Sequence, residues 1–172
     1  MPINLNLDVF LDYTEWERQE WLDFLRQHGD KVLKISVGPH ADNRFATVGD
    51  LIKHVFSAEK RYIDRLSVRK LTDPATIPND NIETLFAFGR QSRKELREFV
   101  ETFPAAELDV PEEHTIVNHV IKLTPRKILV HVVVHEIRHW AQIATLLRLN
   151  SLAPKPHDFL FSPLMSDLPM RQ

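Results

Sequence analysis

Apolar positions return in helical phase along four segments of this chain, separated by polar or proline-containing stretches. From Val9 to about His28, the residues Phe10, Trp16, Trp21, Phe24 and Leu25 recur near helical spacing, and Gly29 supplies a stop. Thr14-Glu15-Trp16-Glu17 reads as an internal capping box, which predicts a late start or a bend in this first helix. "KVLKISVGPHADNRFA" reads as a loop. Thr47 to Asp50 then gives T-x-x-D, the start of a second helix running to about Leu66, with Leu51, Val55, Ala58 and Tyr62 as its apolar stripe. After "TDPATIPND", Asp80 to Glu83 supplies a D-x-x-E cap for a third helix, which runs through Phe103 and ends at Pro104.

The stretch "AAELDVPEEHTIVNHVIKL" carries a brief β-branched alternation from Thr115 to Ile121, the pattern of one short edge strand. Thr124-Pro125 opens a fourth helix that runs to about Leu149, with Asn150 as its stop. Four long helical segments with almost no strand signal predict an all-α antiparallel four-helix bundle, with an irregular or β-like segment between helices three and four. Residues 1–172 read as one domain, since 172 residues is an ordinary domain length.

Composition narrows the chemistry. Hydrophobic residues make up 43% and charged ones 27%, ordinary usage for a chain with a packed core. Net charge is -2 with the basic residues dispersed, which argues against nucleic-acid or membrane-surface partners. There is no cysteine, so disulfides, thiolate metal sites and cysteine nucleophiles are excluded, and a metal would have to be held by His, Asp or Glu. The amino-terminal stretch lacks a basic flank followed by an apolar run, and no segment approaches about 18 uncharged apolar residues. A cytoplasmic location is the expectation.

The chemistry concentrates in "HVVVHEIRHWAQI". Residues four apart lie within about 40° on a helix, so His131, His135 and His139 share a face with Ile128, Gln142 and Leu146. Arg138 falls at the margin of that face, Glu136 and Trp140 point away, and the row is expected to face inward. Three imidazoles on such a face cost desolvation unless each is satisfied, and a metal satisfies several at once. His131 and His139 are about 12 Å apart along the axis, so one i,i+4 pair chelates and the remaining ligand comes from elsewhere. Among His28, His40, His54, His114, His119 and His157, only His54 adjoins the apolar stripe of a predicted helix, at the edge that suits a bundle seam. Glu59 falls nearer the stripe's centre and needs a partner, either a ligating histidine or an Arg or Lys across the bundle.

His135 to His139 also spells HExxH, the zinc-protease motif in which Glu136 would be the general base. Its surroundings do not support that role: no H-x-x-G-x-x-H extension follows His135, no sheet is predicted to form a cleft, and a third ligand would have to be His157 or Asp158.

A second pattern covers nearly the whole chain. "TVGDLIKHVFSAEKRYI", "LTPRKILVHVVVHEIRHWAQI" and "LLRLNSLAPKPHDFLF" resemble, in order, helix two, helix four and the closing segment of the DinB/YfiT-like superfamily of metal-binding four-helix bundles. Ala141-Gln142 stands where many members have Gly-Gln. The resemblance implies His54, His135 and His139 as ligands of one divalent ion (zinc, nickel or iron), and it makes Glu136 a coincidence of the motif. It also implies a metal-dependent hydrolase or thiol transferase acting on a small molecule, such as a low-molecular-weight thiol, and a homodimer. His131 and Glu59 are the candidate catalytic groups, with a structural role for His131 left open. A non-catalytic stress or regulatory protein with a closed metal site is the alternative from a different class. On the family reading, Glu136→Gln leaves a folded protein with unchanged metal content.

Overall fold

A computed structural model describes residues 6–38, 44–116 and 118–165. Its four long helices are α1 (Leu7–His28), α2 (Val48–Leu66), α3 (Ile82–Thr102) and α4 (Pro125–Leu149). Strands β1 (Glu112–Ile116) and β2 (His119–Leu123) form an antiparallel hairpin between α3 and α4. The all-α bundle read from the sequence is present. The single edge strand is replaced by two, because Asn118 adopts φ 65 and folds the β-branched run back on itself.

Caps fix where the helices begin. Thr47 and Asp50 form a reciprocal capping box on α2, and Thr124 with Pro125 starts α4, both as the sequence predicts. Two other signals were misplaced. Asn6 caps α1, while the Thr14 hydroxyl bonds back to the Phe10 and Leu11 carbonyls inside a continuous helix, so it caps nothing. Asn81, rather than Asp80, caps α3 by accepting from Thr84 N at 2.9 Å. The Asp30 carboxylate accepts from Ile82 N at 2.8 Å, which satisfies a second helix-terminal N–H from across the chain.

Side-chain pairs give the helix directions. Arg26 meets Glu83 and Arg97 meets Asp12, so α1 and α3 are antiparallel. His54 meets His139 while Tyr62 meets His131, so α2 and α4 are antiparallel too. In contrast, Phe56 meets Phe86 and Lys60 meets Glu95, which makes α2 and α3 parallel neighbours. Trp21 on Trp140 and Arg18 on Glu136 make α1 and α4 parallel. The bundle therefore runs up-down-down-up, and the Pro-containing connection after α2 carries the chain back along the bundle length.

The core is divided. One apolar cluster, around Trp21, Ile52, Phe56, Leu85, Trp140 and Leu147, fills one end. A second, around Leu11, Ile63, Leu96, Leu129 and Val132, fills the other. Between them lies a layer of charge: Arg18 from α1, Glu59 from α2, Arg93 from α3 and Glu136 from α4, each 6% exposed or less. The buried face of α2 includes Ile52, Phe56, Glu59 and Ile63, so it is rotated from the predicted stripe, in which Ala58 and Tyr62 are only partly buried. No described helix is long and apolar enough to cross a membrane.

Candidate metal centre

α2 and α4 bring three of the chain's histidines together at their seam. His135 and His139 are one turn apart on α4, and His54 reaches them from α2 across the antiparallel contact. Nε2 of His54 lies 3.0 Å from Nε2 of His135, and Nε2 of His139 lies 3.1 Å from that same atom. One ring nitrogen from each of the three lies within 4.8 Å of the others, and this group could hold a metal ion. Two nitrogens about 2.1 Å from one ion are separated by about 3.0 Å at a right angle and about 3.4 Å at the tetrahedral angle, so the observed spacings suit a shared ion.

The tautomer fits as well. His139 Nδ1 is 2.5 Å from the Gln142 side-chain oxygen, which can only accept, so the proton sits on Nδ1 and the Nε2 lone pair faces the other rings. Burial pushes the pKa of His54 down to about 4 and that of His135 to about 3, with the neighbouring His139 adding to both. Burial also lowers His139, against the raising effect of its bond to Gln142. Neutral imidazoles with converging lone pairs are the form that ligates a cation.

The loop before α2 closes one side. Val37 N donates to Ala46 O at 3.1 Å and Val48 N to Ile35 O at 2.9 Å, which pins Phe45 with its ring centroid 4.7 Å from that of His54. Between this loop and α4 a cavity of about 630 Å³, lined by Phe45 as well as His139 and Gln142, is within the usual range for small-molecule sites.

Two expectations about α4 are corrected. The histidine row does not face the bundle axis; Glu136, Trp140 and Ile143 do, while His131 and Gln142 are exposed. The physical reason is width. The apolar arc through Leu129, Val132, Val133, Trp140 and Leu147 is broader than the histidine side, so it takes the axis and leaves the histidines on the flank. His131 stays outside the cluster, with its ring centroid 5.4 Å from that of His135 and 5.2 Å from Tyr62.

Glu59 takes the second of its two expected partners. It accepts from Arg18 Nη2 at 2.9 Å and from Arg93 Nε at 3.0 Å. Burial pushes its carboxyl up, but the two arginines outweigh that and hold it below the usual range. Glu136 turns to the bundle axis. Its carboxylate accepts from Arg18 Nε at 2.6 Å, Arg93 Nη2 at 2.7 Å and Trp140 Nε1 at 3.1 Å. Fully engaged in the core, it is unavailable as the base of a zinc protease.

Arg18 and Arg93 were missed in the sequence. Arg18 falls in helical phase with Leu11, Leu22 and Leu25, and Arg93 with Phe86 and Leu96. A cation on an apolar stripe is the signal that could have found them. Of the other histidines, His28, His114, His119 and His157 stand apart from the cluster, and His40 lies outside the described residues. A protein-family model described as the DinB family matches residues 1–167. No curated protein matches the chain.

Proposed function

The chain belongs to the DinB family, and from that premise we propose that it binds one divalent ion (zinc, nickel or iron) through His54, His135 and His139 and is a metal-dependent hydrolase or thiol transferase. The observation that carries this reading is the convergence of three Nε2 atoms beside a cavity large enough for a small molecule. When bound, an ion held by neutral imidazoles alone keeps its charge and supplies Lewis acidity to a water or an external thiol.

The chain's own residues supply the rest. Gln142 fixes the His139 tautomer, and Phe45 covers the His54 side of the cluster. His131 stands with its ring beside His135 and reaches solvent, placed to carry a proton outward. Glu59, held between two arginines, is removed from that role. The absence of cysteine from the chain means that any thiol in the reaction comes from the co-substrate.

Cobalt-loaded protein provides the test. Addition of a low-molecular-weight thiol should produce a sulfur-to-cobalt charge-transfer band, and ester hydrolysis or thiol transfer to an electrophile should be lost in His54→Ala. A cobalt spectrum indifferent to added ligands, with neither activity present, would contradict the catalytic reading and leave a closed, non-catalytic site.

A further inference from the structure

The cavity beside His139 has a charge pattern that its neighbouring histidines do not require. Its described lining contains two arginines, Arg44 and Arg138, and no aspartate or glutamate. The chain has net charge -2 and 24 acidic residues, yet none of the described wall residues is acidic. Arg138 is exposed, lies one step before His139 on α4, and makes no salt bridge with a described residue. Arg26, Arg97 and Arg126 are held by carboxylates, whereas Arg138, like exposed Arg90 and Arg148, is not held by a described one, and of these three only Arg138 lines this cavity. Beyond these cations the described wall sets an apolar part, Phe45, Leu51, Leu146 and Leu149, beside the neutral polar groups of Ser36, Gln142, Thr145 and Asn150.

We propose that this cavity binds small molecules carrying an anionic oxygen group at one end of an apolar chain, with Arg138 holding the anion and Phe45, Leu51, Leu146 and Leu149 holding the chain. A guanidinium recognises carboxylates and phosphates through paired N–H donors, and no carboxylate of the described wall competes for Arg138. An apolar wall with a few placed polar groups is the usual construction of a small-molecule site. The inference rests on reading the histidine cluster as a metal site only in that the anion's carrier becomes the substrate of that site; the binding itself is a property of the cavity.

Isothermal titration of the whole protein, zinc-loaded and metal-free, with octanoate, octyl phosphate and octanol tests it. Both anions should bind at least about tenfold more tightly than octanol, in either metal state, and the better of the two identifies the preferred headgroup. Arg138→Gln should reduce anion binding to the octanol level with zinc content unchanged. Arg138→Lys should retain part of the preference, and Arg126→Gln, an equal change of net charge away from the cavity, should leave it intact. Octanol binding as tightly as the anions, or Arg138→Gln without effect, would overturn the proposal. An anion preference that vanishes on zinc removal would also overturn it, because the metal rather than Arg138 would then be the anion's partner. Absence of zinc uptake with the anion preference intact would instead defeat the metal reading and leave this proposal standing.

Discussion

His54 and Glu59 lie little more than a turn apart on α2, and His135 and Glu136 are adjacent on α4, yet the two sets of side chains enter opposite chemical situations. The carboxylates turn to the bundle axis and meet Arg18 and Arg93, so every charge in that layer is opposed by two of the other sign. The histidines turn to the flank, where burial disfavours their charged forms and their Nε2 atoms crowd together. A buried polar group that is fully partnered belongs to the fold. One whose lone pairs converge on nothing in the chain points to a ligand. That contrast, more than the HExxH spelling, separates the residues of α4 that hold the fold from those proposed to hold a metal.

The largest expected effect breaks the charge layer. Glu136→Gln removes one of two anions facing two buried arginines and should destabilise the protein by about 3–5 kcal/mol, read as a shift in urea midpoint. The family reading expects a folded protein from this variant, and the charge layer predicts that it is less stable than wild type. Metal content of whatever fraction remains folded should be unchanged, because Glu136 faces away from the cluster.

The next effect acts on the histidine side. Gln142→Leu removes the oxygen that fixes the His139 tautomer and should weaken metal affinity about 10- to 100-fold, measured by competition with a chelator. Unfolding of the metal-free form should change little, since Gln142 is exposed.

A smaller effect follows from protonation. Burial holds His54 at about 4 and His135 at about 3, below the value of about 6.5 for an unfolded histidine. Between these values the unfolded chain binds more protons than the folded one. The stability these two histidines contribute to the metal-free protein is therefore complete above about pH 6.5 and falls as pH drops toward 4. Urea midpoints at pH 7 and pH 5 should show the fall, and His54→Ala should reduce it.

The sequence made the flank legible and the axis illegible, for a physical reason. Helical phase and the capping signals at Thr47 and Thr124 place α2 and α4, and i,i+4 spacing alone puts His135 beside His139. Those are local relations. The up-down-down-up order, and the meeting of Arg18, Glu59, Arg93 and Glu136 from four different helices, depend on which helix lies beside which, and no local period encodes that. Glu136 illustrates the limit: its angle from His135 was read correctly, but the width of the apolar arc on α4 decides which of the two directions is inward. The hairpin was underread because Asn118 turns without the glycine that usually marks a two-residue turn.

On the proposed function, metal binding and the fold rest on different residues of the same two helices. Elemental mass spectrometry of untagged protein, wild type against His54→Ala, with urea unfolding of both metal-free forms, tests it most directly. About one equivalent of metal in wild type, lost in a variant whose metal-free stability lies within about 1 kcal/mol, is the predicted result. Metal retained by His54→Ala, or a wild type that holds none and takes up none on reconstitution, would contradict it.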